Sequence, residues 1–329
     1  MRRPLLALAI AAVVLALAMA LAVSIGSEPT SLARAVTDPA SLDRLLIVEA
    51  RLPRVALAAV AGAGLSAVGV AFQALLRNPL AEPYVLGVSG GAALGASVAI
   101  ALGLTAATAL GATLLPLAAL GGGLLATALV YAIARGAGPA SGTTILLAGV
   151  IVNALAGAAI TFLKTLVSAT KAQELLFWLM GFLDVPSRAS LAAVSALVAI
   201  GALALFFDAG RMNLLALGDE PASHLGVDVP RLERRVFLAS SAIVGAIVSV
   251  TGLIGFVGLV VPHALRRLVG PDHRLLVPLS LFAGGAVLVA CDLIARVLFR
   301  YLGTEPPVGA ITAVVGGPAF LILLARRRV

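Results

Sequence analysis

From Leu5 to Ile25 the chain carries no charged residue, and stretches of similar length and composition recur as far as its C-terminus. An apolar run of roughly 20 residues is what an α-helix needs to cross the ~30 Å hydrocarbon core of a bilayer. Such runs fall near residues 4–26, 53–76, 86–104, 107–134, 143–167, 189–207, 236–254, 256–270, 275–299 and 308–325, the eighth being short. Lipid offers the backbone no hydrogen bonds, so a spanning chain must close its own, as helices or as a barrel. The alternating apolar and polar segments of a barrel are missing here. The expected fold is therefore all-α: a polytopic membrane protein of about ten transmembrane helices, forming one domain over residues 1–329.

Composition sharpens this. The chain is 61% hydrophobic and 12% charged, against roughly a quarter charged in an ordinary soluble domain. Its 34 glycines and 5% aromatics favour helices that approach closely through small residues. The apolar run after Arg2 and Arg3 exceeds the h-region of a signal peptide and reads as a first span. The net charge of +8 reflects loop arginines that orient the helices, not a nucleic-acid surface. An even number of spans puts both termini on one side. That side collects Arg2, Arg3, Arg77, Arg135, Arg211, Arg231, Arg234, Arg235, Arg266, Arg267, Arg274 and Arg326 to Arg328, the larger share, and is expected to face the cytoplasm.

Chemistry is sparse. Cys291, the single cysteine, cannot form a disulfide framework, and His224, His263 and His273 are too scattered for a metal site, so no metal and no bound cofactor is expected. No nucleophile and base stand together, which argues against an enzyme. Asp292 and Arg296, spaced i,i+4 toward the outer end of the ninth span, are placed to pair with each other. No span has an ionisable residue at its centre, where an ion-coupled carrier keeps its carboxylates. No phosphate-binding G-x-x-x-x-G-K-[ST] loop occurs either, so uphill transport would draw its energy from a partner.

Two polar interruptions stand out. In "RNPLAEPYVLG" at 77–87, Pro79 and Pro83 remove backbone donors and free carbonyls that lipid cannot satisfy, so this segment must line protein or water. The connection 208–235 is the longest between spans. Within it, Asp219 can cap, Pro221 suits a first helical turn and Gly226 a left-handed end, which outlines a short surface helix; an ordinary solvated loop is the other reading. A weak echo, "RLPRVALA" at 51–58 and "RLERRVFLA" at 231–239, opens the second and seventh spans, which run oppositely, as in inverted-repeat transporters.

The stretches "RLPR" at 51–54, "RNPLAEPYVLGVSGGAALGA" at 77–96, "LLAGVIVNAL" at 146–155, "FWLMG" at 177–181, "GDEPASHLGVDV" at 218–229, "GLIGFVGLVVPHALRRLVGPDHRLLVP" at 252–278 and "PPVGAITAVVGGPAFLILL" at 306–324 closely resemble the FecCD family. Its members are permease subunits of bacterial ABC importers for vitamin B12, haem and ferric siderophores. The resemblance implies a type II ABC importer permease fold in the inner membrane, working as a homodimer. It also implies two ATPase subunits that carry ATP and Mg, and a periplasmic or lipid-anchored substrate-binding protein. Residue by residue, it implies binding-protein docking at Arg51, Arg54 and Arg296, in competition with the Asp292–Arg296 pair. It implies ATPase coupling at Asp219, Glu220, Pro221, Ala222, Ser223, His224, Leu225 and Gly226. A cytoplasmic gate is implied at Asn78, Pro79 and Leu80, and a second at Ser141, Gly142, Thr143 and Thr144, where Gly142 replaces a hydroxyl residue. A secondary carrier and a membrane receptor are the readings from other classes.

Overall fold

The structure, a computed structural model, describes residues 2–104, 109–136 and 142–325, and these residues contain no β-strand. In chain order the helices are α1 (Arg2–Ser24), α2 (Leu32–Thr37), α3 (Leu42–Leu45), α4 (Leu52–Leu75), α5 (Val88–Ala101), α6 (Ala109–Gly136) and α7 (Gly142–Leu166). Then come α8 (Ala169–Met180), α9 (Arg188–Leu215), α10 (Asp219–His224), α11 (Val229–Thr251), α12 (Val257–Val269), α13 (His273–Leu302) and α14 (Val308–Ala325). A π-helical turn, Leu46–Arg51, leads into α4, and a 3₁₀ turn, Pro83–Leu86, leads into α5.

Ten of these helices follow the ten expected spans, but unequally. Among the described residues 7 helices are long and apolar enough to cross a membrane, those containing α1, α4, α6, α7, α9, α11 and α13. At 1.5 Å per residue, α5 with 14 residues and α12 with 13 reach only about 20 Å each. Each follows a long helix across a break, α4 then 76–87 and α11 then 252–256. The weak echo between the second and seventh spans therefore precedes two matching arrangements of long helix, break and short helix.

α4 lies at the centre of the bundle, buried almost continuously from Val55 to Leu75 and packed against α9, α11, α12 and α13. Glycine makes this closeness possible. A Cβ on Gly69 would lie 1.8 Å from the Gly258 carbonyl oxygen, and one on Gly62 would lie 2.2 Å from that of Gly284. α1, apolar all round and scarcely buried, rests against α13 at the margin.

The polar connection expected over 208–235 is shorter in backbone terms. α9 runs on to Leu215 and α11 begins at Val229, so only 216–228 lies between them. The charges assigned to a solvated loop are spent on packing: buried Asp208 accepts from Arg211 Nη1 at 2.6 Å and from Arg235 Nη2 at 2.9 Å, tying α9 to α11. None of the ten expected spans covers α8, although Ser168 before it and Gly181 after it, with φ 75°, are ordinary boundary residues.

Candidate functional site

The break at 76–87 begins where α4 ends. Arg77 N donates to Ala74 O at 3.2 Å and Asn78 N to Gln73 O at 3.2 Å, while Arg77 takes φ 47°. This is a Schellman closure with arginine in the left-handed position that glycine usually holds. Asn78 then turns the chain: its Oδ1 accepts from Leu80 N at 2.9 Å and its carbonyl from Ala81 N at 3.0 Å. Leu80 is 45% exposed, an apolar side chain left without cover. As the sequence demanded, the backbone beyond lines protein. Asn153 of α7 donates from Nδ2 to Tyr84 O at 2.6 Å and accepts from Gly90 N at 3.1 Å.

The two breaks meet. Glu82 Oε1 accepts from Phe256 N at 2.7 Å, and the Tyr84 hydroxyl accepts from Ile254 N. Phe256 itself has φ 68°, so its backbone is strained and its N–H is supplied with an acceptor from the opposite half. Beside them Gln73 of α4 donates to Leu259 O at 3.3 Å and accepts from Arg266 Nη1 at 2.8 Å. The sequence reading gave no role to Asn153, Gln73, Glu82 or Tyr84. For Gln73, Glu82 and Tyr84 a polar side chain in or beside broken backbone is the available signal; Asn153, in mid-α7, carries none.

Of the second expected gate, Ser141 lies outside the described residues, as does the side chain of Thr143; Gly142 opens α7, and Thr144 is half-buried in its first turn.

α10 forms where the sequence outlines a surface helix, with one correction. Its N-cap is Gly218, at φ 117° and with no side-chain cap, while Asp219 already sits in the first turn. The Asp219 carboxylate is engaged elsewhere, accepting from Arg77 Nη2 at 3.0 and 3.1 Å. Gly226 ends the helix at φ 85° as expected. Ala222 is buried beneath α10, while Glu220, Pro221, Ser223 and His224 face outward with Leu217 and Leu225, which are 63% and 57% exposed.

At the other end of α4 lies a buried ion network. Asp292 Oδ1 accepts from Arg54 Nε at 2.9 Å and Nη2 at 2.7 Å, and Asp292 Oδ2 accepts from Arg296 Nε at 2.9 Å. Glu305, between α13 and α14, also pairs with Arg54. The i,i+4 pair is present, and Arg54 and Glu305 join it from far along the chain. Arg51 is buried and donates to Val23 O and Ser24 O, both at 3.1 Å, to Thr30 Oγ1 at 2.8 Å, and to Glu28 O. Arg296 reaches Ile25 O at 3.3 Å, and Arg300 reaches Ser27 O at 3.1 Å and Gly26 O. Three guanidinium groups thus cap the carbonyls at the end of α1, where the helix dipole favours cations. In this conformation Arg51, Arg54 and Arg296 all face inward.

Next to the network a cavity of ≈ 440 Å³ is lined by Trp178, Phe177 and Phe182 with Glu174, Asp184 and Glu305. Trp178 is half-buried in this wall. Among the described residues no group of three or more His, Cys, Asp or Glu could hold a metal ion.

The arrangement is a helical bundle with two touching breaks, a buried ion network at one end and a small exposed helix at the other. The model of the FecCD transport family matches residues 8–326. The chain belongs to the FecCD transport family. FecCD relatives include the cobalamin import system permease protein BtuC of Halobacterium salinarum, 42% identical over 87% of this chain and 75% of that protein. The hemin transport system permease protein HmuU of Yersinia pestis is 38% identical over 84% of this chain and 82% of that one. A solved structure described as an inward-facing conformation of a metal-chelate type ABC transporter superposes with TM-score 0.85 at 29% identity, covering 98% of this chain and 99% of its own. This FecCD chain is thus a multi-pass membrane permease of the kind found in ABC importers.

Proposed function

We propose that the chain is the transmembrane subunit of an ATP-driven importer that carries a bulky metal chelate, a ferric siderophore, cobalamin or haem, into the cytoplasm. The observation that carries this is α10: a six-residue helix in the polar connection between α9 and α11, flanked by the exposed side chains of Leu217 and Leu225. Apolar side chains rimmed by Asp219, Glu220 and His224 suit a protein partner. The partner is a pair of ATPase subunits, one for each chain of a permease homodimer. Residues Asp219 to Gly226 form the coupling contact, the α10 end faces the cytoplasm, and both termini lie there.

In this reading Asn78, Pro79 and Leu80 form the cytoplasmic gate, and Ser141 to Thr144 belong to a second. Broken backbone with an exposed Leu80 gives an apolar constriction without fixed ligands, suited to a chelate that passes whole. At the arginine end a substrate-binding protein docks through Arg54, whose side chain is 13% exposed and paired with Glu305. A carboxylate of that protein takes over from Glu305, while Arg51 and Arg296 hold the rim around it. Asp292, the carboxylate a cation-coupled carrier would use, is bound by two arginines, so an ion-coupled mechanism finds no opening there.

Support also comes from relatives named for cobalamin and hemin. The test is uptake by liposomes that contain the chain with its partner ATPase and the cognate binding protein. Cyanocobalamin, hemin and a ferric hydroxamate are offered in turn. Uptake of one of the three, dependent on ATP, is expected; uptake of none would overturn the cargo class.

A further inference from the structure

Arginine is a poor choice for residue 77. The closure at the end of α4 requires a left-handed residue, and glycine takes that conformation without the clash a Cβ brings. Arg77 nevertheless holds φ 47° there, and its side chain crosses to α10, where Nη2 meets both carboxylate oxygens of Asp219 at 3.0 and 3.1 Å. Gly218, at φ 117° just before Asp219, brings the α10 backbone alongside the guanidinium: a Cβ there would meet Arg77 Nη1 at an ordinary contact distance of 3.8 Å. A second carboxylate waits nearby. Glu233, buried on the first turns of α11, interacts electrostatically with both Arg77 and Asp219, yet among the described residues it makes no ion pair within 4.0 Å.

We propose that Arg77 is the joint between α10 and the broken segment 77–87, a positioning residue whose guanidinium follows Asp219 as α10 moves and turns to Glu233 when Asp219 withdraws. This rests on the reading of α10 as the contact for an ATPase. The backbone carries the motion onward. Arg77 N and Asn78 N close the last turn of α4, and Asn78 holds Leu80 and Ala81 by its side chain and carbonyl, so a rotation at Arg77 shifts Leu80 directly. The pair is half exposed, with side chains 38% and 49% open, and such pairs add little to stability. Its chemistry therefore fits a movable contact, not a brace.

Arg77→Gly separates the two roles, because glycine suits the backbone and abolishes the link. The complete complex, permease with its ATPase and binding protein in nanodiscs, is compared with and without ATP and vanadate. Amide hydrogen exchange is followed over residues 78–86. In the parent, nucleotide changes exchange in this segment. In Arg77→Gly the melting temperature is unchanged or raised, while the nucleotide-dependent change falls about fivefold or more, within the usual range of coupling between sites. Arg77→Lys, which keeps a charge of similar reach, retains most of it. Glu233→Gln keeps the resting exchange and reduces the change. An Arg77→Gly complex that responds like the parent overturns the proposal. So does one that melts lower, since the side chain would then be a structural brace. A parent with no nucleotide response takes down both the joint and the ATP-driven reading, whereas a responsive parent with a responsive variant removes the joint alone.

Discussion

Arg54 and Arg77 stand at opposite ends of α4 and are held in opposite ways. Arg54 is 13% exposed and shares two carboxylates, Asp292 and Glu305, with Arg296 locked beside it. Arg77 is 38% exposed and has one partner, itself half in water. A buried charge without its counter-charge is costly, whereas an exposed pair exchanges its partner for water at little cost. The Asp292 core of the arginine end, with Arg54 and Arg296, is therefore built to stay assembled, Glu305 lies at its partly open edge, and the α10 end is built to move. Between them lie the two breaks, joined by Glu82 and Tyr84.

The comparison breaks most visibly at Asp292. Asp292→Ala strands the buried Arg54 and Arg296 and is expected to cost about 3–5 kcal/mol, read as a large fall in thermal midpoint in detergent; a midpoint within error of the parent would mean that the network is wet. Next comes the contact between the halves. Gly69→Ala drives a methyl group against the Gly258 carbonyl and is expected to cost about 1–3 kcal/mol. Glu82→Ala leaves the Phe256 N–H without its acceptor and is expected to cost about 1–3 kcal/mol, whereas Glu82→Gln keeps an oxygen there and loses less. Equal losses for the two would show that the bond does not form. Leu225→Asp on α10 is expected to change the midpoint by less than about 0.5 kcal/mol-equivalent while reducing ATPase association severalfold in a pull-down. Smallest of all is Arg188→Ala, which removes an exposed pair with Glu49 and should leave the midpoint unmoved.

Local features were legible where local rules decide them. Apolar length located the spans, Pro79 and Pro83 marked one break, and Pro221 with Gly226 outlined α10. The i,i+4 spacing gave the Asp292–Arg296 pair because a helix repeats on that scale. What escaped were partners distant in sequence. Arg54 and Glu305 are 251 positions apart, and Arg77 and Asp219 are 142. No periodicity links such positions; only the packing of α4 against α13, and of α10 on α9 and α11 within reach of Arg77, brings them together. Asp219 shows the cost: by local rules it is a cap, and tertiary pairing claims it instead. For the arginines at 51, 54 and 296 the resemblance implies docking, and nothing local in the sequence shows that Arg51 and Arg296 also hold carbonyls at the end of α1 and just beyond it.

The central claim is that this chain provides a path and no energy. The direct measurement is accumulation of radiolabelled cyanocobalamin, hemin or ferric hydroxamate in sealed liposomes, with the purified chain alone or with its ATPase, binding protein and ATP. Accumulation above the outside concentration only in the complete, ATP-supplied system is predicted. Accumulation by the chain alone, driven by an ion gradient, would contradict the account.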